Sequence, residues 1–151
     1  MKVAISACLV GCKCRYDGTD NHDIRLVAKL ESCELIHFCP EDHAFGTPRP
    51  TMNLVETSQG IRALSNLTGA NLSAPIEDYA KTFFDMHPDI DLFIGKDRSP
   101  SCGVCSAKLY DQDKNLLSTK EAGLMAKEAL KRGIHCLDAE DFVSPILFHK
   151  A

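Results

Sequence analysis

The chain has no apolar stretch of membrane-spanning length, and its charged residues never gather into a long run of one sign. The first absence excludes a membrane-spanning helix. The second, with 17 basic and 21 acidic side chains and a formal net charge of −4, disfavours the diffuse attraction that non-specific nucleic-acid binding depends on. Internal repeats, linkers and low-complexity segments are also missing, so nothing in the pattern divides the chain. The start, Met1-Lys2-Val3-Ala4-Ile5, enters an apolar strand and soon reaches Cys8 and Gly11, without the apolar core and cleavage site of a secretory leader. A cytoplasmic protein with no membrane partner is expected.

With 151 residues, 44% of them apolar and 25% charged, the chain has enough material for one compact domain over 1–151 with its own core. It also carries eight cysteines. A disulfide framework needs an oxidising compartment and usually a smaller, loop-rich domain, so metal or redox chemistry is the better reading. Cys33 and Cys136 have no motif around them and read as core filling. Three others sit in turn-like motifs, each just past a short apolar run: Cys8 in Ser6-Ala7-Cys8-Leu9-Val10-Gly11, Cys39 in Cys39-Pro40-Glu41, and Cys102 in Ser99-Pro100-Ser101-Cys102-Gly103. In an open α/β sheet the loops beyond the strand carboxyl ends converge on one crevice, where thiols distant in sequence meet. A three-thiolate site for a soft metal centre is built in this way.

Periodicity places strands at 2–7, 34–38, 91–95 and 134–137, with a further strand at 106–110 and a turn at 111–115. Helices are predicted over 21–30 behind a polar Asn21-His22-Asp23 start, from Ser73 as N-cap to His87-Pro88, and over 119–132 ending at Gly133. A short final helix begins at Asp138. Pro48 and Pro50 make 45–62 a loop before a short strand or turn. Strands interleaved with helices indicate a three-layer α/β/α fold with a mainly parallel sheet.

Three blocks of sequence now stand out together: Ser6-Ala7-Cys8-Leu9 with Arg15-Tyr16-Asp17-Gly18, Cys39-Pro40-Glu41 with Pro48-Arg49-Pro50, and Lys96-Asp97-Arg98-Ser99-Pro100-Ser101-Cys102-Gly103. In this order, and over most of the chain, they resemble the thiouracil desulfidase family, which implies a Rossmann-like single domain. The resemblance implies an oxygen-sensitive [4Fe-4S] cluster held by Cys8, Cys39 and Cys102, with the fourth iron free to take sulfur from a small thiolated pyrimidine. It implies Glu41 as general acid/base activating water, and Ser99 and Ser101 as groups that hydrogen-bond the substrate or pass a proton. The net reaction is non-redox: thiocarbonyl plus water gives carbonyl plus sulfide.

Each residue also has a plainer reading. An acidic loop residue is usually solvated surface, and a serine beside proline is usually turn chemistry. Arg15, Asp17 and Arg49 serve either to fix a loop or to contact substrate. Phe83 and Phe84 read as core, His37 as a structural histidine in a strand, and His43 as the one histidine near Glu41. The chain departs from the family pattern at Cys12, Cys14 and Cys105, which sit beside the expected ligands. One of them as a fourth ligand gives a closed iron-sulfur centre, and Cys12, Cys14, Cys102 and Cys105 together give a closed zinc site; either suits a sensor or structural protein without catalysis. A second departure is Asp42-His43-Ala44-Phe45-Gly46, where Phe45 adds bulk in place of glycine and is expected to alter the pocket. A thiolated nucleoside, a thiolated RNA base or another thioamide then becomes an alternative substrate, with RNA not favoured by the net charge.

Overall fold

Val3, Ala4 and Ile5 of the first strand, β1 (Lys2–Ser6), are all fully buried, so this strand has no solvated face. Such a strand belongs inside a sheet covered on both sides. In the computed structural model, which describes residues 1–144, β1 pairs in parallel with β2 (Glu34–Phe38) on one side and β5 (Leu92–Gly95) on the other. β5 pairs in parallel with β8 (His135–Asp138), giving the order β2-β1-β5-β8. The last seven residues of the expected 1–151 domain lie outside the described residues.

Helices α3 (Ser73–Met86) and α4 (Leu124–Lys131) cover one face, where Phe83, Phe84, Met125 and Ala129 pack on Phe38 and Phe93 of the strands. Phe83 and Phe84 are therefore core, as their helical spacing indicated. Burial of each such side chain contributes on the order of 2 kcal/mol. Helix α1 (Ile24–Lys29) covers the other face, with Leu26 and the following Leu30 against Val3, Ile5, Leu92 and Ile94. The three layers and the parallel sheet agree with the sequence pattern.

A second sheet, absent from the sequence reading, is formed by β3 (Met52–Thr57), β4 (Gly60–Ser65), β6 (Ala107–Tyr110) and β7 (Leu116–Glu121), in the order β4-β3-β6-β7. It packs through Met52, Leu54, Ala63 and Leu109 onto Ile76 of α3 and Leu124 of α4. Two expectations are corrected by it. The 45–62 loop ends at Thr51, because Pro48 and Pro50 precede a β3-β4 hairpin whose Thr57 hydroxyl donates to the Gly60 carbonyl at 2.8 Å. The helix expected from Thr119 starts at Leu124, because 116–121 is held in β7 by pairing with β6. Ser73 is also not a cap: it is the first helical residue, and its hydroxyl accepts from the Ala63 N–H of β4 at 2.8 Å. Cys39 ends β2 and stands as the N-cap position of a helix that the sequence reading omitted, α2 (Pro40–Phe45), with Pro40 in its first turn.

The loop after β5 is fixed by close packing and by two carboxylates. A Cβ on Gly95 would stand 1.7 Å from the Cys102 carbonyl oxygen, and one on Gly123 would stand 2.5 Å from the Ser101 carbonyl carbon. The Ser101-Cys102 peptide is thus clasped between the end of β5 and the start of α4, a fit that only two bare Cα atoms allow. Asp138, at the end of β8, accepts from Val104 N–H at 2.7 Å, Cys105 N–H at 2.9 Å and the Ser106 hydroxyl at 2.8 Å. Asp97, also buried, accepts from Glu140 N–H at 3.0 Å. Burial, together with the Asp138 and Glu140 carboxylates, holds the Asp97 carboxyl above its ordinary range.

Gly95→Ala is expected to destabilise the fold by about 3 kcal/mol through overpacking, lowering the melting temperature by roughly 10 °C in thermal unfolding. A carboxyl whose folded-state pKa is raised contributes fully below about pH 4, and that contribution is lost as pH rises through the folded-state value. Asp97→Asn, which keeps the acceptor oxygen, is therefore expected to raise the melting temperature at pH 7, with a gain that shrinks as the pH falls toward 4.

Candidate active site

The carboxyl ends of β1, β2 and β5 open on one pocket of about 520 Å³, and Cys8, Cys39 and Cys102 all line it. Each thiol follows its strand directly for a local reason. Cys8 lies in the 3-10 turn Ala7–Val10 that ends β1, Cys39 lies between β2 and α2, and Cys102 follows β5 through the loop clasped by the two glycines. Convergence of the three thiols is what the parallel sheet predicts.

The pocket also takes in a fourth cysteine. Cys14 is 3% exposed, lines the pocket and stands in contact with the Cys39 thiol, whereas Cys12 and Cys105 are exposed and do not line it. The closed zinc site of Cys12, Cys14, Cys102 and Cys105 is not assembled, and no group of three ligating side chains among the described residues stands close enough for a single ion. A lone zinc ion needs every sulfur within about 2.3 Å of one point. Three thiols that face one cavity from three separate loops suit a polynuclear iron-sulfur centre, in which each thiolate binds a different iron. The donor set therefore fits such a cluster and not a mononuclear ion.

Burial pushes the Cys8, Cys39 and Cys102 thiols upward, Cys102 well above the ordinary thiol range with the Glu41 carboxylate adding repulsion. As free thiols they are neutral; a cationic centre is required to hold them as thiolates. Cys136 shows the same burial effect without a site: packed against the α3-α4 core, its thiol is pushed up to about 12 by desolvation alone. Cys33 packs on the opposite core, so both are the filling residues expected.

Glu41 points into the same space from the first turn of α2. One carboxylate oxygen accepts from the Ser101 hydroxyl at 2.8 Å, and the other lies 3.6 Å from Arg49 Nε. Arg49 is 6% and Glu41 15% exposed at the side chain, so the pair is largely desolvated. Arg49 also donates to the Cys14 carbonyl at 2.7 Å, to Thr47 Oγ1 at 2.9 Å and to the Gly46 carbonyl at 3.1 Å. Of its two sequence-level readings, loop fixing is thus realised, and the same guanidinium faces Glu41. Ser99 lines the pocket, yet its hydroxyl accepts from Ser101 N–H at 3.2 Å and Cys102 N–H at 3.1 Å, the turn role its neighbouring proline suggested.

Other expected residues fall elsewhere. Asp17 holds Thr19, whose N–H it accepts at 3.1 Å, and Arg15 lines the pocket while donating to Thr19 Oγ1 at 3.2 Å. His43 is exposed against the Tyr79 ring, and His37 is exposed on β2. Phe45 packs with the core of the second sheet and not into the pocket wall, so the anticipated change of pocket shape does not arise from it. Missed from sequence were Ser6, Asn21 and Tyr79, whose hydroxyl accepts from Cys39 N–H at 3.3 Å. Tyr79 carried one signal, a polar tip on an apolar helix face, and Ser6 its place in the first block of the resemblance; Asn21 carried none, being an ordinary polar residue in a loop.

No curated protein sequence matches the chain significantly. A solved structure of a [4Fe-4S]-dependent thiouracil desulfidase superposes on it with a TM-score of 0.74, at 25% sequence identity, covering 93% of this chain and 92% of that one. Over residues 3–141 the sequence matches the family described as 2-thiouracil desulfurase. With Cys8, Cys39 and Cys102 around one pocket and the match spanning all three strand-end loops, the chain belongs to the 2-thiouracil desulfurase family.

Proposed function

We propose that this protein is a [4Fe-4S]-dependent desulfidase of a thiolated pyrimidine of the thiouracil type, one domain whose cluster ligands are Cys8, Cys39 and Cys102. The observation that carries the reading is the convergence of these three thiols, and no exposed cysteine, on the pocket that holds Glu41. A volume of about 520 Å³ falls in the range of small-molecule sites. It supports a small thiolated base as substrate.

When bound, a cluster held by three thiolates supplies one iron with an open coordination position, a Lewis acid for a soft sulfur atom. The protein's own groups supply the rest. Glu41, held between Ser101 and Arg49, is the base that takes a proton from the attacking water as its oxygen adds to the carbon bearing sulfur. The same carboxyl then returns the proton as the carbon-sulfur bond breaks, giving the carbonyl compound and sulfide with no change of oxidation state. Ser101 orients the carboxylate, and its hydroxyl is the nearest relay for that proton. Ser99 fixes the turn that presents Ser101 and Cys102. Desolvation of the Arg49-Glu41 pair strengthens its electrostatics relative to water.

Protein purified without oxygen is expected to hold about four iron and four sulfide per chain and to release sulfide from thiouracil. Zinc alone after attempted reconstitution would sink the reading. Cys8→Ser, Cys39→Ser and Cys102→Ser are each expected to lose cluster iron, whereas Cys12→Ser and Cys105→Ser retain it in an iron assay. Glu41→Gln is expected to keep iron and sulfide but to lower kcat by about 10²- to 10⁴-fold, the range for removing a general base; full turnover in that variant would remove Glu41 from the chemistry.

A further inference from the structure

Three side chains of the pocket that take no part in the proton transfers each stand against a different ligand thiol. Asn21 Nδ2 lies 3.5 Å from Cys8 Sγ, and the Asn21 backbone N–H donates to the Cys8 carbonyl at 3.0 Å, which holds the amide on that side of the sulfur. Ser6, buried at the end of β1, accepts from Lys96 N–H at 3.0 Å. That bond leaves the hydroxyl proton to be given, and Ser6 and Cys102 line the same pocket, where the hydroxyl favours the Cys102 thiolate against the burial that disfavours it. Cys14 lines the pocket beside Cys39 and likewise favours its thiolate. As a free thiol Cys39 donates to the Cys14 carbonyl, 3.8 Å away; as a metal-bound thiolate it has no proton to give, and the Cys14 S–H becomes the donor between them. The Cys14 carbonyl meanwhile keeps Arg49 Nη2 as its partner at 2.7 Å.

Amide, hydroxyl and thiol share one property here: each is a neutral donor beside a sulfur that must carry negative charge. A neutral donor stabilises a thiolate without closing a coordination position. We propose that Ser6, Cys14 and Asn21 are positioning residues for the cluster thiolates, each giving one hydrogen bond to one ligand, Ser6 to Cys102, Cys14 to Cys39 and Asn21 to Cys8. Cys14 is thereby a donor to a ligand and not a fourth ligand. All three donors come from the first connection of the fold, residues 6–21, which also carries Cys8. The inference rests on the ligand assignment proposed above. Its physical consequence is separate from turnover: a reduced cluster carries more negative charge than an oxidised one, so donors to its thiolates raise its reduction potential.

The test compares wild-type chain with Ser6→Ala, Cys14→Val and Asn21→Leu, all reconstituted without oxygen, by iron and sulfide content and by the midpoint potential of the cluster. Each variant is expected to hold wild-type iron and sulfide with a lowered potential, and the shifts are expected to add in the triple variant because the three donors serve separate ligands. Ser6→Thr and Cys14→Ser, which keep an O–H, are expected to return the potential to the wild-type value. Asn21→Asp, at a half-buried position that tolerates the change, is expected to lower it further than Asn21→Leu by placing a charge beside Cys8. Unchanged potentials in Asn21→Leu and Asn21→Asp overturn the inference even if the buried variants do not fold. Loss of cluster iron in both Cys14→Val and Cys14→Ser overturns it too, making Cys14 a ligand. A wild-type chain that takes up no iron and sulfide sinks the cluster assignment itself, which separates the two failures.

Discussion

The Ser101-Cys102 peptide, pressed between Gly95 and Gly123, is the constraint on which the site depends. Gly95 ends the central strand β5 and Gly123 begins α4, so the peptide between them is located by the sheet and by the helix layer at once. The Ser101 hydroxyl thereby reaches Glu41 on α2, and the Cys102 sulfur reaches the pocket shared with Cys8 and Cys39. Backbone N–H groups that this tight path would strand are taken up by side chains. Ser99 serves Ser101 and Cys102, and Asp138 serves Val104 and Cys105. A loop with its donors satisfied in this way is held rigidly, which is what the proposed ligand and proton-transfer roles require of it.

Charge in the pocket is arranged in a layered order. Burial disfavours the anions of the thiols that line the cavity, so in the proposed ligand set binding a cationic centre and losing three thiol protons are one event. Glu41 is kept among them by a cation on one oxygen and a hydroxyl on the other. Arg49 is the cation paired with Glu41, and a largely desolvated carboxylate without that partner is a costly arrangement in a low-dielectric setting. Arg49 in turn is positioned by the Cys14 and Gly46 carbonyls, which connects the Pro48-Arg49-Pro50 block to the loop after β1. The Arg49 backbone N–H also donates to the Tyr16 carbonyl at 2.9 Å, so two of the blocks that carry the family resemblance are joined at this residue.

Legibility of the sequence differed by element for physical reasons. The buried strands of the parallel sheet were readable because they are short continuous apolar runs, and α3 because its apolar positions recur at helical spacing. The β3-β4 hairpin was hidden by the prolines before it, and β7 was absorbed into the following helix because Leu116–Glu121 is an exposed edge strand with little alternation. Among site residues, Cys8, Cys39, Cys102 and Glu41 were visible through their motifs. Cys14 was visible as a candidate fourth ligand or zinc ligand, Ser6 only as part of the first block and Asn21 only as a helix start, since the sulfurs beside them are brought near by the fold.

By itself the sequence determined the layer architecture, the three strand-end thiols and the family, because hydrophobic periodicity and local motifs are properties of contiguous residues. Which cysteines face one cavity was decided only by the tertiary structure. Cys12 and Cys14 are two residues apart, yet one is exposed and the other lies against Cys39, 25 residues away in the chain. Burial and contact of that kind are set by how the loop after β1 packs under Arg49 and beside β2, a long-range arrangement that no spacing rule encodes.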